Sequence, residues 1–293
     1  MNVSMKVSRL AIDALTKPRP IPNPFGATLE ERVRGRTVLI TGASSGIGRR
    51  LAERVADAGA HAIVVARRKD ELDELVREIK QSGGNATAVA SDLSTEDGVT
   101  TVTDIVLGEF GAPDILVNNA ARSIFRSIER SAAEDRLHDY ERTMRVNYLA
   151  GVGLALKLLP AMASRGSGHV VHSSSIGVLM DLPRFSAYVG SKAALDAFYR
   201  VAANEYADTG ITFTNVHLPL VRTSMAAGEW DSRFAVLSLD EGTEMLVTAI
   251  RRRPHRYDNP LGSLSAKVRE FLPGSSSGLL NSYHRSVPDT EWR

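Results

Sequence analysis

Tyr188 and Lys192 carry the side chains in this sequence that are best suited to move a proton. They stand four residues apart in a segment, 186–207, whose composition predicts a long helix. That spacing places both side chains on one helix face, one turn apart. A neighbouring ammonium favours the phenolate and lowers the pKa of tyrosine from its ordinary value near ~10. The pair therefore predicts a general acid–base, but the same spacing occurs on structural helices, so the assignment depends on the residues around it.

Two more polar residues stand where a site of this kind needs them. Ser175 follows a predicted strand, 169–174, and its hydroxyl could hydrogen-bond a substrate oxygen and position it. Asn147 interrupts an apolar helical segment, 144–149. A buried asparagine needs hydrogen-bond partners, so Asn147 is either a satisfied core amide or part of a polar site.

A glycine-rich loop, 41–48, lies between a predicted strand, 37–41, and a predicted helix, 49–58. Glycines there permit a tight turn, let the backbone approach a pyrophosphate, and leave the helix N-terminus open for anionic oxygens. The loop predicts a dinucleotide-binding site that uses Gly42, Ser44, Ser45, Gly46, Ile47 and Gly48.

The same loop allows a rival interpretation. Gly42 to Gly46 also fits the G-x-S-x-G nucleophile elbow, with Ser44 as the nucleophile of a serine hydrolase. Such an enzyme needs a histidine, and His172 and His217 lie at predicted strand ends. A protein that binds the dinucleotide without turnover is a further alternative. The phosphate-binding P-loop is excluded, because no glycine and lysine follow at the required spacing.

The second predicted strand, 61–66, ends in two arginines, Arg67 and Arg68, and has no acidic residue there. An acid at this point accepts hydrogen bonds from a free ribose 2′-hydroxyl, whereas arginine suits a 2′-phosphate. The sequence therefore favours NADPH over NADH. The alternative is that both arginines merely begin the following helix.

Strands and helices alternate regularly along most of the chain, which predicts an α/β fold. We expect a single Rossmann-type, doubly wound parallel sheet with helices on both faces, formed by residues 34–252. Residues 1–33 are predicted to be an N-terminal extension, with a helical segment, 3–15, and a proline-rich linker. Residues 253–293 are predicted to be a C-terminal tail.

The bulk composition limits the classes of function. The chain has 36 Lys and Arg against 34 Asp and Glu, which gives no electrostatic reason to expect a nucleic-acid partner. It has no cysteine, so disulfides, thiolate nucleophiles and cysteine metal sites are excluded, and no metal site is predicted. No apolar run has the length of a membrane span and no secretory signal is recognisable, which predicts a cytoplasmic protein.

Together these motifs resemble the short-chain dehydrogenases/reductases over roughly residues 34–250. Ala121 and Leu220 depart from glycines that the family often has at these positions. The resemblance implies a catalytic tetrad of Asn147, Ser175, Tyr188 and Lys192, with a water-linked proton relay through Asn147 and Lys192. It also implies that NADPH is bound by the glycine loop and by Arg67, Arg68, Asp92, Leu93, Asn119, Ala120, Tyr188, Lys192, Pro219, Val221 and Thr223. Homodimers or homotetramers through helices 141–163 and 186–207 are a further implication.

Several local stretches are similar to the reductase module of bacterial fatty acyl-CoA reductases, notably 138–144, 174–178, 183–188, 217–225 and 250–254. This similarity implies a hydrophobic carbonyl substrate: a long-chain acyl-CoA, an aldehyde or a ketone. Segments 224–230 and 234–237 stand where a substrate lid is expected. Apolar residues at helical spacing in the tail are predicted to line a channel, to touch a membrane surface or to form subunit contacts: Leu261, Leu264, Val268, Phe271 and Leu272.

Overall fold

A computed structural model describes residues 15–17, 26–226, 236–272 and 277–286. The predicted helix 3–15 and the proline-rich linker fall almost wholly outside these residues. The strands are β1 Thr37–Thr41, β2 His61–Ala66, β3 Asn85–Ala90, β4 Ile115–Asn118, β5 Gly168–Ser175, β6 Ile211–Leu218 and β7 Arg256–Asp258. The helices are α1 Leu29–Val33, α2 Gly46–Asp57, α3 Lys69–Gln81, α4 Glu96–Glu109, α5 Ile128–Ala133, α6 Leu137–Met144, α7 Ala150–Arg165, α8 Gly177–Met180, α9 Ser186–Glu205, α10 Leu239–Arg252, α11 Pro260–Phe271 and α12 Ser277–Ser286.

The strands form one seven-stranded sheet in the order β3-β2-β1-β4-β5-β6-β7, with every neighbouring pair parallel. The predicted doubly wound Rossmann-type fold is confirmed. The chain first moves outward from β1 to β3 and then returns to continue on the other side with β4. Ligands bind to such sheets in the crevice at the carboxyl ends of the strands where the order reverses. Here that crevice lies between β1 and β4.

The sheet is covered on both faces, which explains its nearly continuous apolar strands. Val38 and Ile40 of β1 face a core that includes residues of α2 and α10. Leu39 between them faces the opposite core, which is filled by residues of α4, α7 and α9. Because successive strand residues point to opposite faces, a buried strand needs an apolar residue at every position.

The sheet continues beyond the predicted boundary at residue 252. Strand β7 pairs with β6, with Tyr257 beside Val216. The sequence predicts no strand here, because the strand is three residues long and two of them are charged. Its Tyr257 alone is buried. At the other end of the chain, Val33 of α1 is fully buried in the sheet's core, one residue before the predicted domain start.

One helical stretch among the described residues, Leu137–Arg165, is long and apolar enough to cross a membrane by length and composition. It comprises α6, a π-helical turn (Arg145–Leu149) and α7. Leu154 and Leu158 in this stretch are buried in the core against the sheet. Core helices pass the same length and composition test, so the stretch is weak grounds for a membrane span.

Candidate active site

The glycine loop has the backbone geometry that the sequence predicts. Gly42 and Gly46 adopt left-handed conformations, with φ of +69° and +58°. Glycine reaches this region without the steric cost of a side chain. At Gly48 the constraint is close approach instead, because a Cβ atom there would lie 2.6 Å from Asn119 Nδ2 and closer still to the Gly42 carbonyl oxygen. The loop therefore packs tightly on the segment that follows β4.

The hydroxyl of Thr41 fixes that packing. Thr41 Oγ1 donates to the Val117 carbonyl at 3.3 Å and accepts the backbone N–H groups of Asn119 and Ala120 at 3.0 Å each. Asn119 Nδ2 in turn donates to the carbonyl oxygens of Thr41 and Gly42 at 3.0 and 3.3 Å. These bonds tie the ends of β1 and β4 together at the switch point of the sheet.

The loop presents the N-terminus of α2 to the crevice. Ser45 precedes this helix and its side chain makes no capping hydrogen bond. The first-turn N–H groups are thus left for an anionic partner such as a phosphate. The residues present fit a dinucleotide. Two glycines in left-handed conformations form the turn, the helix N-terminus is uncapped, and Gly48 lies too close to Gly42 and Asn119 for any side chain.

Arg67 and Arg68 have different surroundings. Arg68 donates to Ser44 Oγ at 2.9 Å and Ser45 Oγ at 3.0 Å, and pairs with Glu71 at 2.8 Å. Arg67 is exposed and lines the same cavity. Partial desolvation opposes ionisation of the neighbouring Asp92, but hydrogen bonds from Ser94 and the charge of Arg67 keep its pKa below the ordinary value.

Ser175, Tyr188 and Lys192 line one cavity of about 870 Å³. Ser175 ends β5, and the other two lie on successive turns of α9. Lys192 Nζ donates to the Ser173 carbonyl at 2.6 Å and lies 6.0 Å from the centre of the Tyr188 ring. Burial lowers the pKa of Lys192 to about 8, against the opposing charge of Asp196.

Asn147 lies behind this cavity, in the π-helical turn between α6 and α7. Its amide is fully used: Nδ2 donates to the Arg122 carbonyl and to Ser191 Oγ at 2.9 Å each, and Oδ1 accepts the Arg122 N–H at 2.7 Å. A second cavity of about 10 Å³ is lined by both Asn147 and Lys192, which is about the room that one water needs. Asn147 is thus a satisfied amide that also borders a polar site.

The large cavity brings together most of the predicted site. Gly48 and Asn147 are the two predicted residues that do not line it. Those that do are Gly42, Ser44, Ser45, Gly46, Ile47, Arg67, Arg68, Asp92, Leu93, Asn119, Ala120, Ser175, Tyr188, Lys192, Pro219, Val221 and Thr223. Leu220 also lines it, with an ordinary backbone conformation whose carbonyl accepts the Leu237 N–H at 2.9 Å.

Much of the remaining cavity wall is apolar, although Thr16, Arg122, Ser123 and Ser224 line it as well. Its apolar lining includes Ile176, Met180, Leu182, Phe185, Val189, Met225, Ala226, Leu261 and the ring of Tyr283. Of the tail residues that the sequence singled out, Leu261 lines the cavity, whereas Leu264, Phe271 and Leu272 are exposed. Ser224–Ala226 of the predicted lid forms a short 3-10 turn, and residues 227–235 lie outside the described residues. Tyr283 was not predicted to line the site, because no local sequence pattern indicates a contact so distant along the chain.

Arg184 attaches the C-terminal helix α12 to the segment that leads into α9. It adopts a left-handed conformation, with φ of +71°, two residues before α9. Its guanidinium donates to the His284 carbonyl at 2.9 Å and lies 5.8 Å from the centre of the Phe125 ring. Arg269 makes a second attachment, with hydrogen bonds of 2.8 Å to the Val178 carbonyl and 2.9 Å to Asp181. These contacts hold α11 and α12 against the apolar end of the cavity.

The histidines of the rival hydrolase interpretation have another partner. His172 Nδ1 and His217 Nε2 lie 3.0 and 2.6 Å from the two carboxylate oxygens of Asp196. Ser44 Oγ instead accepts from Arg68. The structure thus gives a serine triad at Ser44 no support. In the described parts of the chain, no group of three or more His, Asp or Glu side chains is arranged to hold a metal ion.

Known proteins share this fold and these motifs. The family model for short chain dehydrogenases matches residues 36–233. A fatty acyl-CoA reductase from Acinetobacter baylyi is 42% identical over 256 residues, which cover 87% of this chain and 86% of the relative. An uncharacterized oxidoreductase from Mycobacterium bovis is 44% identical over 253 residues, 85% of this chain and 73% of the relative.

Among solved structures, L-sorbose reductase from Gluconobacter frateurii, complexed with NADPH and L-sorbose, is similar with a TM-score of 0.68. The two are 30% identical, and the match covers 77% of this chain and 95% of the reductase. This chain belongs to the short-chain dehydrogenase family and is an oxidoreductase.

Proposed function

We propose that this protein uses NADPH to reduce the carbonyl carbon of a long apolar substrate, either a fatty acyl-CoA thioester or the corresponding aldehyde. The observation that carries the proposal is one continuous cavity. It runs from the glycine loop, past Ser175 and Tyr188, to an apolar wall that includes Leu261 and Tyr283. A dinucleotide, a polarised carbonyl and an alkyl chain could occupy these three parts in that order.

Each residue of the proposed tetrad has a role that follows from its position. Ser175 and Tyr188 hold the carbonyl oxygen by hydrogen bonds, and Tyr188 transfers its phenolic proton to that oxygen as charge develops there. The Lys192 ammonium stabilises the resulting phenolate. The proton that Tyr188 gives stays on the product, so a second proton from solvent has to restore the phenol. A water in the small cavity that Lys192 and Asn147 line would relay it. When bound, NADPH supplies the hydride that the carbonyl carbon accepts.

The balance of the reaction depends on the substrate. Each reduction consumes one NADPH and one proton. An aldehyde becomes an alcohol. A thioester loses its carbon–sulfur bond, so that coenzyme A leaves as the thiol and an aldehyde remains.

The substrate class rests on the apolar wall and on the relatives. The Acinetobacter baylyi relative bears the name fatty acyl-CoA reductase and matches most of both chains. L-sorbose is by contrast a polar sugar, and a wall of aliphatic and aromatic side chains suits it poorly, because each sugar hydroxyl buried there would lose its hydrogen bonds to water.

The preference for NADPH is proposed to depend on Arg67. We expect Arg67→Ala to raise the Kd of NADPH about 10- to 100-fold, since hydrogen bonds to a charged group contribute about 1.5–3 kcal/mol. The Kd of NADH should stay nearly unchanged, because NADH lacks the 2′-phosphate. Titration of nicotinamide fluorescence measures both constants. Arg77→Ala is the matched control, since Arg77 is also exposed but lies outside the cavity. An equal loss for both cofactors would remove the argument for Arg67.

The apolar wall is tested by two leucines on α11. Leu261 lines the cavity, whereas Leu264 on the same helix is 51% exposed. We expect Leu261→Ser to lower kcat/KM for long-chain substrates about 10-fold or more, because burying a leucine side chain contributes about 1.5–3 kcal/mol. Short aldehydes should be affected little, and Leu264→Ser should behave like the parent. Initial rates of NADPH oxidation over a chain-length series measure this; equal effects at all chain lengths would argue against the wall as the chain-binding site.

We also propose that the protein is a cytoplasmic homodimer or homotetramer. Leu149 and Leu156 on the long helix, and Val201 on α9, are more than half exposed. A second copy of the chain could bury them, through the helices 141–163 and 186–207.

The exposed Leu264, Phe271 and Leu272 would suit transient contact with a membrane surface that holds long-chain substrates.

A further inference from the structure

A buried group of three ionisable side chains lies directly behind Lys192. Asp196 is 2% exposed and stands one helical turn after Lys192 on α9. Its Oδ1 lies 3.0 Å from His172 Nδ1, and its Oδ2 lies 2.6 Å from His217 Nε2. The two histidines come from neighbouring strands, β5 and β6, and are as deeply buried as the carboxyl group. Nothing in the proposed tetrad accounts for this cluster.

The charge of the cluster follows from its hydrogen bonds. Burial opposes ionisation of Asp196, but the hydrogen bonds from both histidines outweigh it and hold the pKa of the carboxyl below its ordinary value. Burial also lowers the pKa of His172, although its bond to Asp196 opposes that shift. The His172 ring is then neutral near pH 7 and donates its Nδ1 proton. The carboxylate therefore keeps its negative charge in the interior of the protein.

The buried surroundings of Lys192 disfavour its positive charge. It is 2% exposed and hydrogen-bonds a neutral carbonyl oxygen, that of Ser173. A buried ammonium without a negative partner loses its proton readily. The carboxylate of Asp196, on the same helix face one turn away, is the negative charge that acts on it and raises its pKa.

We propose that Asp196 is a positioning residue whose buried carboxylate, fixed by His172 and His217, keeps the Lys192 ammonium charged beside Tyr188. This proposal rests on the proposed role of Lys192 in carbonyl reduction. His172 serves as a neutral N–H donor to one carboxylate oxygen, and His217 Nε2 lies within hydrogen-bond distance of the other, so the carboxylate is held at both oxygens. The negative charge of Asp196 then affects the reaction only by keeping Lys192 protonated.

The titratable groups nearest the cluster lie on α9, β5 and β6, and Tyr140 of α6 contacts the first turn of α9 through Ser186. On α9 they are Tyr188, Lys192, Asp196 and Tyr199, and on β5 and β6 they are His172 and His217. The Tyr199 ring centre lies 5.9 Å from that of His172. Burial raises the pKa of Tyr199, so it stays neutral. Asn215 adds an uncharged acceptor, with Oδ1 at 3.2 Å from His172 Nδ1.

The pH dependence of kcat/KM tests the proposal. In the parent, activity should fall as the pH rises through about 8, where Lys192 loses its proton. In Asp196→Asn the ammonium loses the negative charge that stands one helical turn away, so this alkaline limb should move lower, by about one pH unit. Glu205→Gln removes an exposed acid from the same helix and should leave the limb in place. A purely structural role for Asp196 would lower the rate without moving the limb.

A second variant avoids the effect of giving the two histidines an amide in place of a carboxylate as their hydrogen-bond partner. Replacing the cluster by three leucines, His172→Leu with Asp196→Leu and His217→Leu, removes the charge together with both of its histidine partners, and Asn215 Oδ1 loses its 3.2 Å contact to His172. Such apolar replacement of a buried ionic cluster is often neutral or stabilising. This variant should also show the lowered alkaline limb. An unmoved limb in either folded variant would overturn the proposal, as would the failure of both to fold, which would assign the cluster to structure alone.

The outcome for the reaction itself is read separately. A parent protein that oxidises no NADPH, or a Tyr188→Phe variant that keeps the parent's turnover, contradicts the proposed function. A parent that is active and depends on Tyr188, with a wild-type pH profile in Asp196→Asn, contradicts only the role of Asp196.

Discussion

Tyr188→Phe is expected to lower kcat for carbonyl reduction by about 10²- to 10⁴-fold, the usual contribution of a positioned general acid. The substitution removes one hydroxyl and keeps the ring. The ring packs edge-on against Phe185, with centres 6.4 Å apart, and Phe185 packs in turn against Phe125 at 5.0 Å. These contacts survive in the variant, so the effect should fall on proton transfer rather than on the fold.

The Kd of NADPH distinguishes a loss of proton transfer from a general loss of structure or of cofactor binding. Fluorescence titration should give nearly the same Kd for Tyr188→Phe as for the parent, because the glycine loop is untouched. Tyr206→Phe is the matched control, since Tyr206 follows α9 at its far end and lies outside the cavity. Turnover within a few-fold of the parent would remove Tyr188 from the catalytic role. It would also favour a protein that binds the dinucleotide without using it.

Gly48→Ala is expected to raise the Kd of NADPH about 10- to 100-fold, from the ~1–3 kcal/mol that an added methyl costs in a packed interior. The new Cβ would lie 2.6 Å from Asn119 Nδ2 and against the backbone of Gly42. Backbone yields less easily than the end of a flexible side chain, so either the glycine turn or the segment after β4 has to move. Both border the proposed pyrophosphate site.

Gly108→Ala controls for the substitution itself. Gly108 lies within α4, and a Cβ atom there meets no atom within 4 Å among the described residues. Alanine should leave NADPH binding unchanged and raise the melting temperature slightly, since it favours the helix by roughly 1 kcal/mol over glycine. Fluorescence titration measures the Kd of NADPH for both variants, and thermal melting measures their melting temperatures. A Gly48→Ala protein that binds NADPH as tightly as the parent would contradict the assigned loop geometry.

The doubly wound α/β fold and the glycine loop after the first strand followed from local patterns. Each buried strand is a short apolar run, and its last residues are small or polar, as in Ser173 to Ser175. Because the carboxyl ends of parallel strands meet at one edge, motifs at strand ends predict a common site even when they are far apart in sequence. Ser175 was placed in this way, whereas Val221 was implied by the resemblance to the short-chain dehydrogenases/reductases.

Contacts between segments that are far apart in the chain could not be predicted from local sequence patterns. Strand β7 is short and mostly charged, and its pairing is specified by the neighbouring β6 rather than by its own residues. Tyr283 reaches the cavity because the Arg184 guanidinium binds the His284 carbonyl, a contact that no spacing predicts. His172 and His217 were recognised as strand-end residues, but their shared partner Asp196 reads in sequence as an ordinary polar residue of a helix.

Carbonyl reduction at the expense of NADPH, in a cavity that accepts an alkyl chain, can be assayed directly. The most direct measurement follows the absorbance of NADPH with the purified protein and a chain-length series of acyl-CoA thioesters, with matched aldehydes and ketones alongside. We predict oxidation of NADPH that increases with chain length, with thiol released from the thioesters. Absence of oxidation with every substrate in the series would contradict the account, and oxidation confined to short polar carbonyls would contradict the assignment of the apolar wall.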